Sequence, residues 1–214
     1  MSHSRSPADP APQTPEVRPQ PRLTTPRLVL REFNTEGDPP VIQELLQCRE
    51  IAANTRTIPH PYPDGGAVQW IRTLPEKWKL GQGATFCICW QEDPERPLGA
   101  IGLNVDPLHE HAELGYWIGE SGWGQGICSE AAEQVIAFGF EELGLRRIHA
   151  HHLARNPASG RVMEKIGMKH EGTFRRHVKK WGVFEDAVFY AILAEEYDAL
   201  RDSGERQPRP PERA

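Results

Sequence analysis

The spacing of apolar residues along the chain switches between a period of about two and a period of about 3.6, and each switch marks an element. Arg27–Phe33 (RLVLREF) reads as a strand. Glu36–Arg49 and Gly66–Leu80 have helical spacing, the second interrupted by Pro75. Ala84–Gln91 (ATFCICWQ), Pro97–Val105 (PLGAIGLNV) and His111–Ile118 (HAELGYWI) read as consecutive strands joined by turns. Across Gln125–Leu143, an apolar face is formed by Cys128, Ala131, Ala132, Val135, Ile136, Gly139, Phe140 and Leu143. Glu130, Glu133, Gln134, Ala137 and Glu141 fall away from it, which predicts an amphipathic helix. Arg147–Leu153 is a strand. Pro157–Ile166 is a short helix with Asn156 as N-cap, Pro157 at its first position and Gly167 ending it. Strands near Lys169–Arg176 and Phe184–Ile192 follow, with a turn at Trp181-Gly182. The order β, αα, βββ, α, β, α, ββ predicts an α+β fold on a mixed, mostly antiparallel sheet of about seven strands.

The two ends differ from this pattern. Residues 1–21 carry Pro7, Pro10, Pro12, Pro15, Pro19 and Pro21 and almost nothing large and apolar, so they cannot bury enough surface to offset their ordering entropy. Residues 203–214 (SGERQPRPPERA) are alike. Both are expected to be disordered tails around one folded domain at 22–202.

With 214 residues the chain is long enough for one domain with a real core, and its net charge of −5 argues against a general nucleic-acid binder. Cys48, Cys87, Cys89 and Cys128 form no CxxC pair, and Cys87 and Cys89 alternate along a strand; all four are expected to be reduced, in a cytoplasmic protein. No apolar run approaches the roughly 18 residues of a membrane helix, and no signal peptide is expected.

The densest glycine cluster lies in GYWIGESGWGQGICSEA (115–131), where a strand runs into a helix through Gly119, Gly122, Gly124 and Gly126. Glycine lets a bulky anion touch the backbone. A helix start offers unpaired N–H groups, here expected at Gln125, Gly126, Ile127 and Cys128, and about half a positive charge. Together they make a phosphate cradle. It is no Walker A loop, because no Lys follows Gly124 or Gly126. Nor is it a Rossmann fingerprint, since Gly122-x-Gly124-x-Gly126 follows a strand late in an antiparallel run. His149, His151 and His152 invite a metal reading, but no carboxylate or cysteine joins them at ligand spacing, and no metal is expected. Trp117, Trp123, Trp181 and Phe184 are assigned to core and groove wall rather than to a nucleic-acid platform.

AELGYWIGESGWGQGICSEA (112–131), NPASGRVMEKIGMKHEG (156–172) and WGVFEDAVFYAIL (181–193), opened by TPRLVLREF (25–33), resemble the GNAT superfamily of N-acetyltransferases. Within it they are similar to the RimJ/RimL-type branch, the ribosomal-protein N-terminal acetyltransferases. The resemblance covers about residues 25–195. It implies a single GNAT domain with helices on both faces of the sheet, acetyl-CoA as co-substrate and an amine acceptor; homodimers are common in the superfamily. The family's pyrophosphate loop (Gln or Arg, two residues, Gly, one residue, Gly or Ala) falls on Trp123, Gly124, Gln125, Gly126, Ile127 and Cys128, and Ser129 follows it. Trp123 and Cys128 depart from the pattern.

The resemblance implies Glu113 as the base for the amine, and its apolar neighbours are expected to raise its pKa; His177 is the alternative base, although the branch often has an acidic residue close by. It assigns Ser159 as donor to the leaving thiolate, Asn156 as a contact of the pantetheine arm, and a backbone N–H near Ile118 or Gly119 to the oxyanion. Neutralising an α-amine at pH 7 costs about 1.4 kcal/mol, against roughly 4.6 for a lysine amine. The favoured acceptor is therefore a protein N-terminus, with a small amine (polyamine, antibiotic or amino-acid derivative) as alternative. A non-catalytic acyl-CoA-binding module ranks below both.

Overall fold

A computed structural model describes residues 18–204; of the tails expected over 1–21 and 203–214, residues 1–17 and 205–214 lie outside the described residues. The elements are β1 (Leu23–Thr24), β2 (Leu28–Arg31), α1 (Asp38–Leu45), α2 (Arg49–Asn54), α3 (Gly66–Lys79), β3 (Gly83–Trp90), β4 (Gly99–Asp106), β5 (His111–Ile118), α4 (Ile127–Glu141), β6 (Arg147–Leu153), α5 (Pro157–Lys165), β7 (Lys169–Lys180), β8 (Val183–Leu193) and α6 (Ala194–Asp202). The strands form one sheet in the order β1-β2-β3-β4-β5-β6-β8-β7. Every neighbouring pair is antiparallel except β5 and β6. The α+β expectation holds, with eight strands in place of about seven, because the two-residue β1 folds back on β2.

The main core lies between the sheet and α4. Phe86, Leu103, Leu114 and Ile148 rise from the strands to meet Ile127, Ala131, Val135 and Phe138. Gly139 lets the helix come close, since a Cβ there would stand 2.8 Å from Ile148 Cδ1. Gln134 and Ala137, expected on the polar face, are buried. The reason is that α4 is covered on further sides: Trp78 of α3 lies 6.3 Å from Phe138, and Tyr197 of α6 lies 5.1 Å from Phe140.

A second, smaller core under α1–α3 gathers Ile42, Leu46, Ile51, Tyr62, Ala67 and Ile71, with Trp117 of β5 packed against it. Trp117 alternates with Leu114 and Tyr116, so this cluster sits on the opposite face of β5. The single helix expected over Glu36–Arg49 is broken at Leu46–Cys48. On a continuous helix Leu46 and Ile51 would point about 140° apart; the break turns both into one core. Arg31 fastens the start of α1, its guanidinium 2.8 and 2.9 Å from the Asp38 carboxylate. α3 continues through Pro75, against the expected interruption. Residues 18–21, expected in the N-terminal tail, hold to the domain: the Trp78 indole N–H donates to the Arg18 carbonyl at 2.6 Å, and the Gln20 amide donates to the Thr85 carbonyl at 2.9 Å.

Candidate active site

After β5 the chain makes a single 3-10 turn at Glu120–Gly122, and Gly124 and Gly126 then adopt φ of +74° and +78°. That left-handed backbone costs a side-chain-bearing residue roughly 1–2 kcal/mol. Gly126 is the N-cap of α4. The first helical bond runs from Glu130 N–H to the Gly126 carbonyl at 3.1 Å. The N–H groups of Gly126, Ile127, Cys128 and Ser129 therefore have no partner within the helix. This set is shifted by one residue from the expected one, because the helix starts at Ile127.

Arg27 holds the loop from beneath. Its guanidinium donates to the Gln125 carbonyl at 3.0 Å and to Glu130 at 2.7 Å, and the Thr25 hydroxyl donates to Glu130 at 2.6 Å. The Trp123 indole N–H donates to the Ile118 carbonyl at 2.9 Å. On the outer side the space is open, with no atom within 4 Å of where a Gly124 Cβ would lie. A cavity of about 460 Å³ opens there, lined by Trp123, Gly124, Gly126, Ile127, Cys128 and Ser129 of the loop, by Ile118, and by Asn156 and Ser159 of the α5 start. Arg161 and Lys165 of α5 line it too.

Two expected contributors are elsewhere. The Gln125 side chain turns back to donate to the Ser121 carbonyl at 2.7 Å. The Gly119 N–H, a candidate for the oxyanion, donates to the Leu98 carbonyl at 2.8 Å and is already spent. Burial pushes the Cys128 thiol up to about 12, so it remains a neutral wall residue. Asn156 caps α5 by position, but its side chain makes no capping bond, so its amide stays on the cavity wall.

β5 and β6 pair for only three rungs, ending at Glu113 opposite His149; β5 then stays with β4 and β6 with β8. A second cavity of about 610 Å³ lies over this fork, and the two cavities share Asn54, Thr55, Tyr116, Trp117 and Ser159. At their junction the Tyr116 hydroxyl lies 2.8 Å from Ser159 Oγ and 3.0 Å from its carbonyl oxygen. Burial raises the Tyr116 phenol above its ordinary range, so it is a neutral partner for the serine.

Glu113 lies at the last paired rung and lines the second cavity. Its carboxylate takes the Nδ1 of His151 at 3.0 Å on one oxygen and Arg56 at 3.3 Å on the other. The hydrogen bond from His151 outweighs desolvation and, helped by Arg56, holds Glu113 down at about 2. The expected upward shift is thus reversed: its neighbours are cationic or hydrogen-bonding, not only apolar. The other candidate base, His177, is exposed on β7, edge-on to Phe174 and Phe189, and lines neither cavity. His152 is buried away from His151, with Nδ1 at 2.9 Å from the Leu153 carbonyl oxygen. Trp181 and Phe184, expected in core or groove wall, are exposed at the β7–β8 tip, because that hairpin projects beyond the sheet; Arg49 and Lys179 lie over their rings.

Residues 27–169 match the acetyltransferase (GNAT) domain family. The chain belongs to that family. It is an acetyl-CoA-dependent N-acetyltransferase of the GNAT type. It is 30% identical over 177 residues to the uncharacterized N-acetyltransferase p20 of Bacillus licheniformis, a match covering 82% of this chain and 97% of that one. In fold it resembles the ribosomal L7/L12 alpha-N-protein acetyltransferase RimL in complex with coenzyme A (TM-score 0.74, 19% identity, 81% of this chain and 98% of that one). It also resembles the spermidine N-acetyltransferase of Vibrio cholerae in complex with coenzyme A and spermine (TM-score 0.69, 21% identity, 79% and 97%).

Several residues of this candidate site escape sequence reasoning. Arg56 and His151 reach Glu113 from 57 and 38 positions away, and no local spacing signals such contacts. Tyr116 reads as one more strand aromatic, and only the approach of α5 makes its hydroxyl a partner of Ser159. Arg161 and Lys165 carry a legible hint, being cations on the helix that starts at Asn156.

Proposed function

We propose that this acetyltransferase binds acetyl-CoA in the first cavity, receives a primary amine from the second, and joins them at the Tyr116–Ser159 junction, with a protein N-terminal α-amine as favoured acceptor. One observation carries the reading: two cavities adjoin at Tyr116 and Ser159, whose hydroxyls lie 2.8 Å apart. The first cavity suits coenzyme A. Its four helix-start N–H groups, the glycines at positive φ and the cations Arg161 and Lys165 match a pyrophosphate and further phosphate. The amide of Asn156, unspent on capping, is placed for the pantetheine arm. When bound, acetyl-CoA supplies an acetyl thioester whose leaving group is a thiolate. Ser159 is proposed to donate a proton to that sulfur, with Tyr116 orienting its hydroxyl. Glu113, ionised at neutral pH, is proposed to draw the acceptor's ammonium group into the fork.

The second cavity favours a peptide. Its floor runs over β3, β4, β5 and β6; four adjacent strands give a floor about 14 Å across, the length of roughly four extended residues. Gly115 keeps that floor low, since no atom lies within 4 Å of where its Cβ would stand. An α-amine also needs the smaller deprotonation. A small amine is the second reading, supported by the likeness in fold to a polyamine acetyltransferase. The deciding experiment compares kcat/KM for a short peptide with a free α-amine and for spermidine, both at saturating acetyl-CoA. A clear peptide preference supports the protein-acceptor reading, and a spermidine preference replaces it with the small-amine one.

A further inference from the structure

Glu113 leaves one step of the proposed reaction without an agent. A carboxylate held near 2 is a poor acceptor for the proton of an ammonium group near 8. The mismatch is about six pKa units, a penalty of roughly 10⁶ if the proton moved there directly. Resting on the function proposed above, the geometry points to His151 as the group that takes the proton from the acceptor's ammonium, with Glu113 as its positioning residue.

His151 stands on β6 two residues beyond the last rung shared with β5, and its side chain reaches back across the fork to Glu113. Its ring is 8% exposed and lines the acceptor cavity together with Glu113 and Ser159. It is fixed from two sides. Phe189 stacks on it at 5.0 Å, with the planes 21° apart, and Nδ1 lies 3.0 Å from Glu113 Oε1. The His151 hydrogen bond, helped by Arg56, keeps Glu113 ionised, and an ionised carboxylate can only accept. Nδ1 therefore carries the hydrogen of the neutral ring, and the lone pair is left on Nε2. This is the division of labour in which a carboxylate sets a tautomer and stabilises the imidazolium that forms.

The step balances simply. One N–H bond of R–NH3⁺ breaks and one forms at Nε2, giving a neutral amine with a free electron pair and an imidazolium paired with Glu113. The proton then passes to solvent through the cavity mouth. The charged and titratable groups facing the ring are Glu113 of β5, Arg56 of the segment after α2, His149 on its own strand, and His177 of β7 across Phe189.

Two measurements on the full chain test this. Nitrogen-15 NMR of labelled histidine at pH 8 should report His151 with hydrogen on Nδ1 and a bare Nε2. Glu113→Gln should mix its tautomers. A bare Nδ1 in the wild type overturns the proposal whatever the acceptor. The second measurement is steady-state thiol release with the amine the wild type uses best. His151→Gln should lose roughly 10²–10⁴ in kcat, with the KM for acetyl-CoA unchanged and a cooperative melting transition retained. Its deficit should shrink as pH rises and more of the amine is already neutral, while Glu113→Gln should show a smaller deficit. Wild-type kcat and pH dependence in His151→Gln would refute the assignment and leave the acetyltransferase reading standing. Absence of amine-dependent release by the wild type would refute the reading itself.

Discussion

Placing an aspartate in the glycine cradle separates backbone strain from charge. Gly126 has φ +78° and caps α4, and a Cβ there would meet only Arg27 Nη2, at 3.6 Å. Gly126→Ala therefore adds no clash and costs stability only through its left-handed backbone, about 1–2 kcal/mol. Gly126→Asp should be no less stable. Aspartate tolerates that conformation better than alanine, and its charge is favourable at a helix start by about 0.3–1 kcal/mol. Binding should reverse the order. A carboxylate about 5 Å from a bound phosphate charge, at an effective dielectric of about 20–40, opposes it by roughly 2–3 kcal/mol. That is about 30- to 150-fold in Kd. Calorimetric titration of both variants with coenzyme A at fixed ionic strength, beside their melting curves, checks the reasoning. Aspartate binding as tightly as alanine, in folded proteins, would refute an anion at this helix start.

Ser159→Ala should lower kcat about 100-fold at pH 7, and the loss should shrink above a pH of about 8.5, where the leaving thiolate needs no proton; a flat ratio across pH would contradict the donor role. Asp38→Ala strands the Arg31 guanidinium, whose partner is only 1% exposed. It should cost about 3 kcal/mol in urea unfolding, the low end because Arg31 keeps the Pro94 carbonyl at 2.7 Å. A chain starting at Arg22 loses the bonds of Arg18 and Gln20 to Trp78 and Thr85. Its melting temperature should fall by roughly 2–10 °C, the equivalent of about 1–3 kcal/mol.

What the sequence made legible follows a physical division. β5 and β6 match their expected bounds because strand periodicity and the flanking turns are local signals. The glycine loop is legible for the same reason, since positive φ at Gly124 and Gly126 demands glycine wherever the loop goes. α6 is not among the expected elements, although Glu196, which accepts the Leu193 N–H at 3.0 Å, sits where a helix start wants an acidic residue. β1 escapes because two residues have no periodicity. The state of Glu113 was out of reach: its sequence neighbours are apolar, and the groups that decide its charge come from β6 and from the segment after α2. The Gly119 N–H fails as an oxyanion donor because Leu98, in the turn before β4, claims it.

The most direct test of the central claim is the release of free thiol from acetyl-CoA in the presence of one short peptide in two forms, with its α-amine free and with it acetylated. Amine transfer at the junction of the two cavities predicts release that saturates with the free peptide, is absent with the blocked one, and falls in Ser159→Ala at unchanged coenzyme A affinity. Equal release with both forms would mean that water, not an amine, takes the acetyl group, and would contradict the account.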